Sequence, residues 1–174
     1  MVKLKTSPPW KEAILNFQFS ILNFQFSMTE HFTISELIYS QTAVVRRIWN
    51  GAPAEAEAAL QTLCETILEP LRQRYGRPIN ISSGYRCPEL NRAVGGAASS
   101  QHLKGEAADL DTGSRLQNQH LARLIVELGL PFDQLIDENG YAWVHVSCNT
   151  KGKPRRQILR LKGGKYSTLT PDQL

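Results

Sequence analysis

The sequence predicts an α+β domain, with helices in its first part and an antiparallel sheet in its second. Apolar residues recur at helical spacing between Pro53 and Tyr75, and short alternating segments bounded by turn residues follow Ala107. Helices followed by strands are typical of the α+β class, in which helices pack against an antiparallel sheet. A chain of 174 residues is long enough to bury one such core.

The helices are predicted from caps and from periodicity. Thr33-x-x-Glu36 is a capping box that begins a short helix. A second helix extends from Pro53 to Tyr75, and Pro70 is expected to kink it because proline removes a backbone hydrogen bond. We also expect a helical turn at Pro88–Val94. The last predicted helix is Leu116–Leu128, with Ser114 as its N-cap. The core stripe of the second helix contains Leu60, Leu63, Cys64, Ile67, Leu68, Leu71 and Tyr75.

The strands are predicted from short apolar runs between turn signals. We expect turns at Asn139-Gly140 and Lys151-Gly152 to join the last three strands into the sheet. The predicted strands are Ile79–Ile81, Ala107–Leu110, Asp133–Asp137, Ala142–Ser147 and Gln157–Leu161.

Composition excludes several classes of protein. The hydrophobic fraction is 41% and the charged fraction 21%, which are values of a globular chain and not of a disordered one. No apolar run is long enough to cross a bilayer, which excludes an integral membrane protein. The three cysteines are an odd number without CxxC spacing, so they predict free, inert thiols instead of a disulfide scaffold or a structural zinc site.

The repeat and the charge distribution predict the domain organisation. ILNFQFS occurs at 14–20 and again at 21–27, so we interpret residues 1–27 as an extension outside the core. An amphipathic β-hairpin or interfacial segment is the alternative for this extension. A single domain is predicted at 28–165 and a C-terminal tail at 166–174. The net charge of +4 divides into +2 for 1–27, −4 for 28–150 and +6 for 151–174.

The basic segment 151–174 has two interpretations. It forms a solvated strand pair, or it attracts anionic polymers such as those of a cell wall. It contains no nucleic-acid-binding motif and no interleaved aromatic residues, so nucleic acid is not expected as a partner.

Three residues are candidate metal ligands: His102, Asp109 and His145. Seven extended residues span about 23 Å, so His102 and Asp109 can share one ion only if the chain turns, and Gly105 between them favours a turn. Strand alternation places His145 on one face with Trp143 and Ser147 while the valines between them pack behind. Asp111 faces the same side as Asp109 and competes for the ligand role.

Three ordered sequence blocks carry a resemblance to a known family. They are Ser83-Gly84-Tyr85-Arg86; Ser100-Gln101-His102 with Gly105, Ala107 and Asp109; and His145-Val146-Ser147. Over roughly Phe32 to Ser147 the chain resembles the zinc D-Ala-D-Ala carboxypeptidase and endopeptidase family, whose fold is shared with hedgehog signalling domains. It is most similar to the small phage and prophage cell-wall peptidases. The resemblance implies a hedgehog-like α+β domain with a central antiparallel sheet.

The resemblance also implies a role for each matching residue. His102, Asp109 and His145 would bind Zn²⁺, the catalytic metal, although such a ligand set also accepts other divalent ions. Ser100 would hydrogen-bond the substrate backbone or only support its loop.

Arg86 would stabilise negative charge on the substrate carbonyl or bind a substrate carboxylate. The alternative for this arginine is a structural pair with Glu89 or Glu106.

The general base is the point at which the sequence departs from the family. Many members carry an acidic residue three positions before the last histidine, where this chain has Ala142. Phage-type relatives resemble this chain in a QLI-x-E segment, which assigns the base to Glu138, and Asp137 is the second candidate. An exposed turn carboxylate is the structural alternative for Glu138.

The resemblance implies a zinc metallopeptidase that cleaves peptidoglycan stem peptides or crosslinks, as a D-Ala-type carboxypeptidase or endopeptidase of endolysin type. The alternative is a catalytically weak or inactive hedgehog-like metal-binding module. We expect a monomer that is synthesised in the cytoplasm, since no convincing signal peptide is found, and that acts at the wall after release. A holin would give access to the wall, and no membrane insertion is expected.

Overall fold

Helices precede most of the strands, as the sequence predicts, in the computed structural model, which describes residues 27–174. The helices are α1 (Ile34–Ile38), α2 (Gln41–Arg46), α3 (Ala54–Leu63), α4 (Glu69–Tyr75), α5 (Pro88–Ala93) and α6 (Arg115–Glu127). The strands are β1 (Asn80–Ser83), β2 (Ala107–Asp111), β3 (Gln134–Glu138), β4 (Trp143–Ser147), β5 (Gln157–Lys162) and β6 (Lys165–Thr168). No helix in this described part is long and apolar enough to cross a membrane.

The predicted extension at 1–27, with its alternative as a hairpin or interfacial segment, lies outside the described residues except for Ser27. The backbone of Ser27 forms an isolated antiparallel bridge with Thr33, next to the capping box. That capping box is confirmed at the start of α1.

The long second helix is interrupted by a π turn instead of a simple kink. Residues Cys64–Leu68 form the π turn between α3 and α4, and the Glu69 N–H donates to the Cys64 carbonyl five residues earlier. In a regular α-helix the ring of Pro70 would clash with the carbonyl of Thr66. The wider turn just before the proline relieves this clash, so the helix continues to Tyr75.

The sheet has six strands in the order β1-β2-β4-β3-β5-β6. Every neighbouring pair is antiparallel except β3 and β5, which are parallel. The prediction that a turn at Lys151-Gly152 joins neighbouring strands is wrong, because β5 pairs with β3 and not with β4. Segment 148–156 therefore passes the beginning of β3, next to Asp133, before β5 begins.

The two faces of the sheet have different surroundings. On one face the helices pack against residues that are almost completely buried, and α6 contacts both α4 and β4. Within residues 27–174, no helix covers the central strands on the other face, which forms the floor of a cleft. The strand residues in the core include Leu110, Leu135, Val144, Val146 and Ile158.

The segment predicted as a C-terminal tail belongs to the domain. Strand β6 follows the Gly163-Gly164 turn and pairs with β5. Leu169 and Leu174 are buried, and Arg123 Nε donates to the Leu174 carbonyl at 2.7 Å. Residues 166–174 close the hydrophobic core, so the predicted boundary at 165 is wrong.

Candidate metal centre

Three side chains from distant positions in the sequence meet on the open face of the sheet. Asp109 on β2 lies directly opposite His145 on β4, and His102 comes from a 3₁₀ turn, Gln101–Lys104, just before β2. Their possible ligand atoms all lie within 4.8 Å of one another. The exposed fraction is 2% for His102, 6% for Asp109 and 8% for His145. The structure thus brings together the three candidate metal ligands.

The turn expected at Gly105 explains how His102 reaches Asp109. Gly105 ends the 3₁₀ turn with a φ of 72°, a left-handed conformation that favours glycine. A Cβ at this position would lie 2.3 Å from the carbonyl oxygen of Ala56 on α3. Glycine therefore permits both the reversal of the chain and its close packing against α3.

The hydrogen bonds of His102 orient one ring nitrogen toward the other two ligands. Its Nδ1 lies 2.6 Å from the Gly84 carbonyl oxygen, to which it donates. Its Nε2 lies 3.2 Å from His145 Nδ1 and 3.3 Å from Asp109 Oδ1. A ring nitrogen that donates to a backbone carbonyl is the usual arrangement of a metal-binding histidine.

The three donor atoms form a place for a cation. His145 Nδ1 is also 3.0 Å from Asp109 Oδ1, so two ring nitrogens and one carboxylate oxygen converge. These atoms repel one another unless a proton or a metal ion lies between them. Two imidazoles and one carboxylate leave a fourth position of a tetrahedral zinc free, which is the arrangement of catalytic zinc sites. The residues present therefore fit Zn²⁺.

Asp109 supplies the negative charge of the site. Burial alone would raise the pKa of this carboxyl, but the charges and hydrogen bonds of His102 and His145 lower its pKa well below the usual range. The group is thus ionised at neutral pH, as a metal ligand must be.

Arg86 fixes the second oxygen of Asp109. Its Nη2 donates to Asp109 Oδ2 at 2.6 Å, and its Nε donates to Ser83 Oγ at 2.7 Å. The structural alternative of pairing with Glu89 or Glu106 is wrong, because the carboxylate that Arg86 contacts belongs to a candidate ligand. The residue also lines the cleft, which agrees with the substrate role expected from the resemblance.

The two candidate bases lie on opposite faces of β3. Asp137 is 1% exposed, accepts a hydrogen bond from the Tyr141 N–H and pairs with Arg160 Nε at 2.5 Å on the core side. Glu138 lines the cleft, and its β-sheet partner is Trp143, two residues before His145. Such diagonal neighbours are about 7–8 Å apart, within reach of a glutamate side chain. The geometry favours Glu138 as the base.

The environment of Glu138 disfavours its charged form. Burial raises the pKa of this carboxyl, and the nearby carboxylates of Asp109 and Asp137 raise it further. The charges of His145 and Arg86 oppose this effect without cancelling it. Glu138 is only 8% exposed, so the alternative of an exposed turn carboxylate is wrong. A carboxylate with a raised pKa is better able to accept a proton.

The cleft around the centre has a volume of about 930 Å³. Ser100 lies on its wall at the start of the 3₁₀ turn, and Trp143 lies on its floor beside the centre. This volume is sufficient for several residues of a peptide. Asp111, which competed for the ligand role, instead accepts hydrogen bonds from Gly113 N–H and Asn118 Nδ2 and shapes the turn before α6.

Other titratable groups lie away from this site. The sequence indicates no partner for His31. In the structure its Nδ1 lies 2.6 Å from Oε1 of the buried Glu69, and this contact connects the segment before α1 to α4. The three cysteines are free, as predicted, and burial raises the pKa of Cys64 and Cys148 to about 12. These two thiols are therefore protonated at neutral pH, in agreement with the prediction of inert thiols.

One network beside the centre has no signal in the sequence. Asp133 is 1% exposed and accepts hydrogen bonds from Arg155 N–H, Nε and Nη2 and from Gln101 Nε2. Gln101 directly precedes His102 and also donates to the Cys148 carbonyl. The partners are more than twenty residues apart, so only the fold reveals that they support the metal centre.

A buried His₂Asp centre, an adjacent arginine and a carboxylate in one cleft define a metal-dependent hydrolase site. Comparison with known families gives the same class, since residues 30–147 match the model of the peptidase M15 family. The chain belongs to this family, and the match confirms the predicted resemblance, the α+β fold class and a peptidase as the type of enzyme.

A zinc D-Ala-D-Ala carboxypeptidase of Streptomyces albus G is 37% identical to the chain over 70 residues. The alignment covers 38% of this chain and 28% of that relative, so the chain matches less than a third of the relative's length. The relative's zinc agrees with the metal predicted from the ligand types.

Proposed function

We propose that the chain is a zinc-dependent peptidase that hydrolyses peptide bonds in peptidoglycan stem peptides or crosslinks. The observation that carries this proposal is the convergence of His102, Asp109 and His145 at the floor of an open cleft. Support also comes from membership in a peptidase family and from the relative that is a zinc D-Ala-D-Ala carboxypeptidase.

The ligands in this proposal are His102 Nε2, His145 Nδ1 and the Asp109 carboxylate. When bound, zinc would polarise the scissile carbonyl and make an attacking water more acidic. The Gly84 carbonyl fixes the ring of His102, and Arg86 fixes the carboxylate of Asp109, so the ligands are oriented before the metal arrives.

In this proposal Glu138 is the general base. Its carboxylate accepts a proton from the attacking water and then donates it to the leaving amine, which agrees with its raised pKa and its position in the cleft. Arg86 stabilises the negative charge that develops on the carbonyl oxygen, while Ser100 hydrogen-bonds the substrate backbone. The arginine thus has a positioning role toward Asp109 and a direct role toward the substrate.

The proposed substrates have D-alanine at or next to the cleaved bond. The open cleft can accept a chain end, which would give carboxypeptidase action, or an internal bond of a crosslink, which would give endopeptidase action. We extend the proposal to endolysin-like action, in which the enzyme is made in the cytoplasm and reaches the wall with a lysis partner such as a holin.

A catalytically weak metal-binding module is the second candidate. The observation that favours it is Ala142, which occupies the position where many similar peptidases carry an acid. In the structure the Ala142 N–H donates to the Glu138 carbonyl within the β3–β4 hairpin, so the two positions are neighbours. This proximity favours Glu138 as the replacement acid.

Hydrolysis of purified peptidoglycan by the zinc-loaded chain tests the proposal, with products identified by mass. Loss of single D-alanine residues indicates a carboxypeptidase, and opened crosslinks indicate an endopeptidase. Glu138→Gln should abolish product formation, whereas Glu127→Gln, an exposed change at the end of α6, should leave it unchanged. Zinc binding by the wild type without any chelator-sensitive product would instead select the metal-binding module.

A further inference from the structure

The cleft differs in charge between its two ends. One end contains Glu138, Trp143 and Tyr166. The other end contains Lys104, from the 3₁₀ turn of His102, and Lys151 and Arg155, from the segment 148–156 that passes the beginning of β3. The metal centre lies between the two ends.

The two lysines at the second end have no carboxylate partner in the described part of the chain, whereas Arg155 is paired with Asp133. Neither Lys104 nor Lys151 forms an ion pair with a carboxylate among residues 27–174. The two buried carboxylates at this end are engaged elsewhere, Asp133 by Arg155 and Glu106 by the hydroxyl and N–H of Thr150. The exposed ammonium groups therefore retain most of their charge for a ligand.

The segment that carries these cations is fixed relative to the metal centre. Asp133 binds Arg155 through both its backbone and its guanidinium, and it also binds Gln101, the residue before His102. Half of the Arg155 side chain remains accessible to solvent. A basic segment that is linked to a catalytic ligand through a buried carboxylate is part of the cleft wall and not an independent tail.

The distance along the strands indicates which part of a substrate would meet these cations. Gln134, which follows Asp133, is opposite Ser147, and Ser147 is two residues beyond His145. Two strand residues span about 7 Å, so the cationic end begins about two peptide residues from the centre. A group bound there belongs to the substrate residue next to the scissile bond or to the one beyond.

We propose that Lys104 and Lys151 form a carboxylate-binding subsite, which selects peptides with a free carboxylate near the scissile bond and orients them in the cleft. Arg155, paired with Asp133, fixes the segment that carries Lys151. The inference deepens the proposed function, since stem peptides carry carboxylates and can also carry the corresponding amides. Charge complementarity recognises the acid and not the amide, because only the acid can pair with the two lysines. The opposite end, with Glu138, would repel the same group and so disfavours the reversed orientation.

Binding of matched peptides to the metal-free full-length chain tests the subsite without any catalytic step. The probes are a stem pentapeptide and the same peptide with each carboxylate in turn converted to a carboxamide, measured by calorimetry at low salt. We expect one amide to bind the wild type more weakly than the acid by a factor on the order of ten. Raising the salt concentration should reduce this preference.

The test variant is Lys104→Gln/Lys151→Gln, because both side chains are exposed and the fold does not depend on them. It should bind the acid and the amide equally, with the affinity for the amide unchanged. Lys153→Gln is the matched control, since Lys153 is exposed on the same segment but does not line the cleft. This control should keep the wild-type preference.

Three results would overturn the subsite. In the first, the wild type binds the acid and the amides with equal affinity. In the second, Lys104→Gln/Lys151→Gln still prefers the acid. In the third, the lysine substitutions weaken binding to intact anionic walls but do not change binding to the peptides. Failure of the proposed function gives a different result, in which the zinc-loaded wild type hydrolyses none of the peptides although the metal-free chain still discriminates between them.

Discussion

Replacing Asp133 with asparagine should destabilise the protein by about 2–3 kcal/mol at neutral pH. The carboxylate is almost completely buried and accepts three hydrogen bonds from Arg155, at 2.5, 2.8 and 2.9 Å, and one from Gln101 at 3.1 Å. Asparagine has nearly the same shape but replaces one acceptor oxygen with a donor, so at least one buried donor loses its partner.

The magnitude follows from the burial of the two partners. Removing one member of a fully buried ion pair costs about 3–5 kcal/mol, because the remaining charge is left without a partner. Here the Arg155 side chain is 48% exposed, so water can solvate its guanidinium in the variant. This solvation reduces the expected loss to the range given above.

The effect should also depend on pH. Burial alone would raise the pKa of Asp133, but its hydrogen bonds with Arg155 dominate and lower the pKa from 3.8. A carboxyl with a lowered pKa in the folded state contributes stability above its unfolded pKa, and this contribution disappears as the pH falls through its folded pKa. The difference between the wild type and Asp133→Asn should therefore be constant near neutrality and shrink below a pH of about 4.

Urea unfolding of the metal-free protein at neutral and acidic pH measures this difference. Asp172→Asn, an exposed change of the same type, is the control and should alter the free energy of unfolding by less than about 0.5 kcal/mol. An Asp133→Asn variant as stable as the control at neutral pH, or a difference that persists in acid, would refute the reasoning.

Three further variants test the centre and its supports. Arg86→Gln should weaken zinc binding by about 10–100-fold, because Asp109 loses the donor on its second oxygen, and metal titration against a competing chelator measures the loss. Gly105→Ala should cost about 1–3 kcal/mol more in unfolding free energy than Gly129→Ala, since both have positive φ but only Gly105 has a carbonyl oxygen at its Cβ position; equal losses would contradict the packing argument. The acid limb of kcat/KM against pH should have its midpoint above 4.5, because Glu138 acts as a base only when ionised and burial raises its pKa; a midpoint at or below 4.5 would exclude this assignment.

Local sequence signals predicted the elements that depend on local interactions. The capping box at Thr33 and the alternation around His145 depend on neighbouring residues. The capping box is confirmed, and so is the alternation, since Val144 and Val146 lie in the core while Trp143 and His145 line the cleft. The turn at Gly105 was predicted from a distance limit, since two ligands seven residues apart cannot bind one ion in an extended strand. These signals made the three residues candidates, with Asp111 competing for the role of Asp109, and the resemblance carried by the three sequence blocks selected the set.

Interactions between distant residues could not be predicted in the same way. The parallel pairing of β5 with β3 depends on where segment 148–156 crosses, and strand β6 has no buried residue to produce an alternating pattern. The signal that could have revealed β6 is Gly163-Gly164, a two-glycine turn between two short segments of strand character.

The choice between Glu138 and Asp137 required the register of the sheet. Adjacent strand residues point to opposite faces, so one carboxylate enters the cleft and the other is buried on the opposite face, where it pairs with the partly exposed Arg160. The sequence places both near His145 but does not indicate which face is open. The contact of Arg86 with Asp109 likewise depends on the pairing of β1 with β2.

The most direct test of a zinc peptidase centre is to measure zinc content and peptidoglycan hydrolysis together for the wild type, His102→Ala and Glu138→Gln. The wild type should contain one zinc per chain and release peptide products, whereas His102→Ala should lose both the metal and the activity. Glu138→Gln should keep the metal and lose the activity, because the ligands remain while the base is removed. Full hydrolysis by His102→Ala would contradict the central claim.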